Sequence, residues 1–221
     1  MSRPVRLLLF GAPGVGKGTQ AAALQARCRV PHLSTGDMLR AAIREGTPLG
    51  LQAKSVVERG GLVPDTLISA MMEERLQAED VNGGFILDGF PRTMAQAESL
   101  DRVLAGRGIA IDRVINLAVP EEEIADRLTG RRSCARCGAN FHVRFKPPRR
   151  DGVCDSCGGP LSQRADDALD VIQARLRVYG EQTAPLLDHY RRQGVLADVD
   201  GRGAQDEVTE RIVRILECSG E

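Results

Sequence analysis

Two groups of residues in this chain could do chemistry by type and spacing alone. The first is Gly11-Ala-Pro-Gly14-Val15-Gly16-Lys17-Gly18-Thr19. Four glycines let successive backbone N–H groups turn inward around phosphate oxygens, and a helix start adds positive potential. Lys17 can place an ammonium on the outer phosphates. The strict pattern puts Ser or Thr directly after the Lys. Here Gly18 stands there, so direct metal ligation by a loop hydroxyl is not expected. A dinucleotide-binding G-x-G-x-x-G does not fit, because Thr19 falls where the third Gly belongs. The expected ligand is a mononucleotide polyphosphate.

The second group is Cys134-x-x-Cys137-Gly and Cys154-x-x-Cys157-Gly. Two residues between ligands let both thiolates of a pair reach one ion. Each following Gly allows a left-handed turn that points local N–H groups at sulfur. The spacing predicts tetrahedral Zn²⁺ with no open position, a structural metal; a redox disulfide is the alternative. Cys28 and Cys218 fall outside the pairs and read as packing or incidental thiols.

The phosphate loop sits where a buried strand would meet a helix. Val5–Phe10 is a short apolar run, and residues 17–28 read as a helix. Helices are expected to start near Asp37, over 48–60, 65–79 and 93–106, and after Pro120, where three acids suit the first turn. Phe85–Leu87, 114–119 and 195–199 read as further buried strands. Leu169, Ile172, Leu176 and Tyr179 mark one helical face, and Val208, Ile212 and Ile215 a terminal helix. Repeated strand-then-helix units imply a parallel sheet covered on both faces. Residues 131–164, with four Cys, three Pro and four Gly, break the alternation.

Four motifs together carry a resemblance. GAPGVGKGT, STGDMLR (34–40), DGFPRT (88–93) and DRLTGRR (126–132) are similar to those of the adenylate kinases, in order and spacing, over nearly the whole chain. The Cys-rich segment resembles the lid of the long, zinc-bearing members. The resemblance implies an α/β P-loop nucleotide kinase, a parallel sheet flanked by helices with two insertions. Residues 1–33, 64–129 and 168–221 would form the core, 34–63 an AMP-binding insertion and 130–167 a zinc-bearing lid. It also implies Mg²⁺-dependent phosphoryl transfer between ATP and AMP, giving two ADP.

The resemblance assigns the remaining residues. Gly14 to Thr19 would hold ATP phosphates. Thr35 and Arg40 would hold AMP, with the Leu62-Val63 backbone and Gly89 beside it. Arg92 would also take the AMP phosphate, and Gln96 the adenine edge. The spacing puts Arg92 and Gln96 on one helical face, and likewise Arg127 and Arg131. Arg127 would lie near the ATP base and phosphates, and Arg131 on the transferring group. Arg164 and Arg175 would complete a cationic cage with Lys17. Guanidinium suits this work because its planar fork grips phosphate bidentately and stays charged. Asp88, ending a strand beside the loop, is placed to order hydrated Mg²⁺, or is a turn residue before Gly89. Asp166 and Asp167 read as hinge and lid-stabilising acids, or as the start of the next helix.

Composition bounds the alternatives. The 221 residues carry 30 basic and 30 acidic side chains, formally neutral. Neutrality argues against a strongly basic nucleic-acid binder. Aromatics are 3% and Trp is absent, which leaves few stacking platforms for a zinc-ribbon reading. A P-loop regulator without turnover would give the arginines no purpose. Within the enzyme class, a kinase for another nucleoside monophosphate is the competing reading. Of the basic residues 27 are Arg and three Lys, which codon bias or a need for guanidinium could each explain. No apolar run reaches the ~20 residues of a membrane span. The expectation is a cytoplasmic monomer that binds neither nucleic acid nor membrane. Phe141, Phe145 and Pro147-Pro148 are expected to form what core the lid has.

Overall fold

The chain in its computed structural model is described over residues 5–217. Five strands form one parallel sheet: β1 (Val5–Phe10), β2 (His32–Ser34), β3 (Gly84–Asp88), β4 (Arg113–Ala118) and β8 (Leu196–Asp200). Their order is β2-β3-β1-β4-β8, so β1 lies at the centre. Leu8 pairs with Leu87 on one side and Val114 on the other. This explains why β1 reads as an apolar run. Leu8 and Phe10 pack into one core with Leu33, Leu87 and Tyr190. Leu7 and Leu9 pack into a second with Leu24, Ile115 and Ile212. A strand buried on both faces has no polar side to alternate with.

Helices cover both faces. α1 (Lys17–Cys28) and α9 (Gln205–Glu217) pack on the second core. α5 (Met94–Gly106) and α8 (Leu186–Arg192) pack on the first. Between β2 and β3 come α2 (Thr35–Glu45), α3 (Pro48–Glu58) and α4 (Asp65–Leu76). Ser34 caps α2 by accepting from the Asp37 N–H, and Thr47 caps α3 with Pro48 in the first turn. α6 (Glu121–Thr129) leads out to a three-stranded antiparallel sheet of β5 (Arg131–Cys134), β6 (Asn140–His142) and β7 (Leu161–Ser162), in the order β6-β5-β7. A short turn over Ala165–Asp167 returns the chain to α7 (Leu169–Val178), and a π-helical turn over Tyr179–Thr183 leads to α8.

Several expectations are corrected. α6 ends at Thr129, and Arg131 opens β5, so Arg127 and Arg131 do not share a helical face. Pairing of β5 with β6 draws the chain out of the helix there. Arg92 precedes α5, whose cap is Thr93, so Arg92 and Gln96 share no helical face either. Leu169 is 57% exposed, because it sits in the first turn of α7, while Ile172 is buried. Phe145 is also 57% exposed, so Phe141 supplies the lid core without it, among Cys134, Cys154 and Leu161. Asp166 and Asp167 form the turn before α7 and do not start that helix. β2 and the three lid strands, two to four residues each, are too short to leave a pattern in the sequence. Cys28 is half-buried beside the second core, and Cys218 lies outside the described residues.

Candidate active site

The phosphate loop joins the C-terminal end of β1 to α1. Gly14 and Gly16 take positive φ (87° and 104°), which bends the loop so that its N–H groups can face a ligand. α1 starts at Lys17 with Gly16 as cap, and no acid lies in its first turn to compete with phosphate. Lys17 Nζ donates to the carbonyls of Gly11 (2.6 Å) and Ala12 (2.9 Å). Burial pushes Lys17 down to about 8; Asp88 opposes this, and Arg92, Arg175 and Arg131 add to it.

A cleft of about 620 Å³ opens over this loop. Gly14 to Thr19 form its floor, and Arg40, Arg92, Arg127, Arg131, Arg164 and Arg175 all line it. These arginines come from α2, the β3–α5 loop, α6, β5, the loop after β7 and α7. Asp88 and Gly89 line it at the end of β3, and Leu62 lines it after α3. Thr35, Val63 and Gln96 are buried and do not line it. Thr35 Oγ1 donates to the Gly89 carbonyl at 2.8 Å, and Arg92 Nε donates to the same oxygen at 2.8 Å.

The guanidiniums crowd one another. Burial and then the charges of Arg131 and Arg40 push Arg164 down to about 9. Burial pushes Arg175 down to about 10, with Asp166 opposing and Arg131 and Arg92 adding. Such a cage holds more positive charge than its own acids neutralise, and polyphosphate is the chemistry that relieves it. The acids present act as anchors. Asp167 is fully buried and receives both Nε (2.8 Å) and Nη2 of Arg131, with Arg175 Nη1 at 3.4 Å. Asp166 pairs with Arg175 at 2.9 Å. Arg164 is held by Ser133 Oγ and Asn140 Oδ1, both at 2.7 Å. Arg127 pairs with Glu123 at 3.1 Å.

Asp88 points at the loop. Its Oδ2 is 3.4 Å from His32 Nε2. A Cβ on Gly18 would lie 3.4 Å from the same oxygen. Burial alone would raise this carboxyl, but His32, Lys17 and Arg92 outweigh it and hold it below the ordinary range. An ionised carboxylate beside phosphate N–H donors suits a hydrated divalent cation.

The four lid cysteines meet. Their sulfurs all lie within 4.8 Å of one another, with Cys134–Cys157 and Cys137–Cys154 each 3.5 Å apart. Zn–S bonds of ~2.3 Å in a tetrahedron put sulfurs about 3.8 Å apart, so the set fits one ion. Gly138 and Gly158 take the left-handed turn (φ 75° and 69°). The N–H groups of Cys137 and Arg136 then face Cys134 Sγ and hold that thiol low.

Residues outside the motif pattern also line the cleft: Asn140, Phe141, His142, Phe145 and Lys146 from the lid. The rings of His142 and Phe145 lie 4.4 Å apart, with Arg144 over Phe145 at 4.8 Å. Phe145 and its basic neighbours are visible in the sequence, but only the lid fold turns them toward the phosphate loop.

With this geometry in place, the relatives are informative. The profile of the adenylate kinase family matches residues 9–195. An adenylate kinase of Carboxydothermus hydrogenoformans is 53% identical over 213 residues, 96% of this chain and 100% of its own. Those of Moorella thermoacetica and Geotalea daltonii are 51% and 49% identical, each over 96% of this chain and 98% and 100% of their own lengths. Family profile, near-complete coverage and a cationic cleft over a phosphate loop agree: this chain belongs to the adenylate kinases, a family of nucleoside monophosphate kinases.

Proposed function

We propose that the chain moves the terminal phosphoryl group of ATP to the phosphate of AMP, reversibly, giving two ADP. The observation that carries this reading is the meeting of Lys17 and six arginines, from six separate chain regions, around one cleft. Two nucleotides placed tail to tail need such a surplus of fixed cations. Gly14, Val15, Gly16, Lys17, Gly18 and Thr19 would hold the ATP phosphates. Thr35, Arg40, Leu62, Val63, Gly89 and Arg92 would hold AMP, and Gln96 would read its base. Arg127, Arg131, Arg164 and Arg175 would take the charge that spreads over the transferring group.

An oxygen of the AMP phosphate attacks the γ-phosphorus in line, and the bond from that phosphorus to the β,γ-bridging oxygen breaks. The attacking oxygen is already ionised, so no general base is needed. Arg131 is preorganised by Asp167, and Arg175 by Asp166 and Asp167, so their forks need little reordering as charge develops. Asp88 would order a Mg²⁺ through water. Bound there, the ion would offset negative charge on the phosphates. Cys134, Cys137, Cys154 and Cys157 would hold Zn²⁺, which supplies the lid with the stability its small core lacks.

Residues 34–63 would act as the AMP-binding insertion and 130–167 as a lid closing on a core of 1–33, 64–129 and 168–221. Closure would exclude water and so prevent ATP hydrolysis. A cytoplasmic monomer remains the expectation; among the described residues no helix is long and apolar enough to cross a membrane. The test is direct. Purified protein with Mg²⁺, ATP and AMP should yield ADP, and AMP should exceed CMP, UMP and GMP as acceptor. ADP no higher than in a heat-killed control overturns the reading.

A further inference from the structure

We propose that Asp65 is a specificity-determining positioning residue, which locks the polarity of the Gln96 amide so that the site accepts AMP and rejects a 6-oxo purine nucleotide. The proposal rests on the reading of Gln96 as the residue that meets the acceptor base. Asp65 opens α4, directly after the 34–63 insertion. Gln96 is 2% exposed in the first turn of α5.

Two hydrogen bonds join the two helix starts, and two more lie within the start of α5. Gln96 Nε2 donates to Asp65 Oδ1 at 2.7 Å. Gln96 Oε1 accepts from the Arg92 backbone N–H at 2.8 Å. Thr93 Oγ1 donates to Asp65 Oδ2 at 2.8 Å, and the Gln96 N–H donates back to Thr93 Oγ1 at 3.3 Å. The hydroxyl thus gives its one proton to the carboxylate and uses a lone pair for the cap.

The chemistry of the partners allows one amide orientation. An ionised carboxylate only accepts, and a backbone N–H only donates. Rotating the amide by 180° would set its oxygen against Asp65 and its NH₂ against the Arg92 N–H. Both ends would then be mismatched at a buried site, where unmade hydrogen bonds are costly. In the native orientation one N–H and one lone pair remain uncommitted. Adenine carries an amino donor at position 6, and hypoxanthine and guanine carry a carbonyl acceptor there. At N1 the roles also invert: adenine accepts and the 6-oxo bases donate. A Gln free to turn would satisfy either edge, whereas a Gln held by Asp65 satisfies one.

Asp65 touches no substrate in this scheme. It acts through Gln96, and its effect should appear in base selection and not in ATP use. The experiment compares AMP and IMP as acceptors at fixed MgATP for the parent, Asp65→Asn and Gln96→Ala. Asp65→Asn keeps the shape but offers a donor in place of an oxygen. The ratio of kcat/KM for AMP to that for IMP should fall about tenfold, a charged hydrogen bond's worth. KM for ATP should stay within twofold. Both acceptors are measured on one preparation, so partial misfolding changes both values alike and leaves the ratio intact. Asp65→Ala, which removes both acceptor oxygens, carries the same test should Asp65→Asn fail to yield folded protein. A ratio unchanged in Asp65→Asn but collapsed in Gln96→Ala overturns the inference and leaves the reading of Gln96 standing. A ratio unchanged in both overturns that reading as well.

Discussion

Lys17 is the residue whose protonation should most directly report on bound phosphate. In the free protein it is held at about 8, against an ordinary 10.5, chiefly by burial. Between those values the folded chain binds fewer protons than the unfolded chain. Stability of the nucleotide-free protein should therefore rise with pH across that window, and lose this gain as pH falls through 8. Phosphate oxygens favour the ammonium and reverse the balance. ATP binding just above pH 8 should take up protons, read by titration calorimetry in buffers of different ionisation enthalpy. Lys17→Met should abolish the uptake and lower kcat by about a hundredfold or more; uptake that survives the substitution would place the proton elsewhere. Asp167 is the complementary case. It is fully buried and holds Arg131 through both of its oxygens. Removing one member of such a pair strands the other, so Asp167→Ala should cost about 3 kcal/mol by chemical denaturation. It should also lower kcat, because Arg131 loses its preset direction. Unchanged stability would mean that solvent already screens the pair. Lys17 and the cysteines were legible in the sequence because their partners are neighbours in the chain. Asp167 was legible as a lid acid, but its partner stands 36 residues away, and no spacing rule connects them.

At the scale of elements, the strands that could be read are those buried on both faces. β1, β3 and β4 announce themselves as apolar runs, because helices cover the sheet on either side. β2 has three residues and one buried side chain, too little for a pattern. The lid strands are shorter or more polar still: β5 is Arg-Arg-Ser-Cys, with one buried residue. The lid's described core is Cys134, Cys154 and Phe141, with a few partly buried neighbours. Such a sheet cannot offset its own chain entropy by burial alone. The four cysteines make the missing contribution when they hold an ion. Purified protein should contain about one Zn per chain. Chelation should expose the lid to proteolysis between residues 131 and 164 before the five-stranded core unfolds. It should also depress kcat, since Arg131 sits on β5 and Arg164 bonds across to Ser133 and Asn140. A metal-free protein with an intact lid and full activity would refute this division of labour.

At the scale of the whole molecule, neutrality conceals a separation of charge. Residues 127–164 contain eight arginines and Lys146 against Asp151 and Asp155, a net +7 balanced by −7 elsewhere. Four thiolates on one Zn²⁺ would lower the lid to +5. Part of this charge lines the cleft, through Arg127, Arg131, Lys146 and Arg164. Another part is on the outer loop, where Arg149 and Arg150 are exposed and do not line the cleft. The two parts should do different work. Cleft arginines would bind and stabilise the transferring group, so their loss should lower kcat. Outer arginines raise the potential that draws a polyanion toward the open lid, a long-range effect that salt screens. Replacing Arg149 and Arg150 together with Glu should raise KM for ATP about threefold at low ionic strength while kcat stays unchanged. At 1 M salt the screening length falls to about 3 Å, and the difference from the parent should vanish. A KM difference that persists at high salt would show local damage to the lid, and no difference at any salt would assign the lid's charge to the cleft alone. In the latter case the abundance of outer arginine over lysine would reflect codon usage, and guanidinium would be under functional demand only where it faces phosphate.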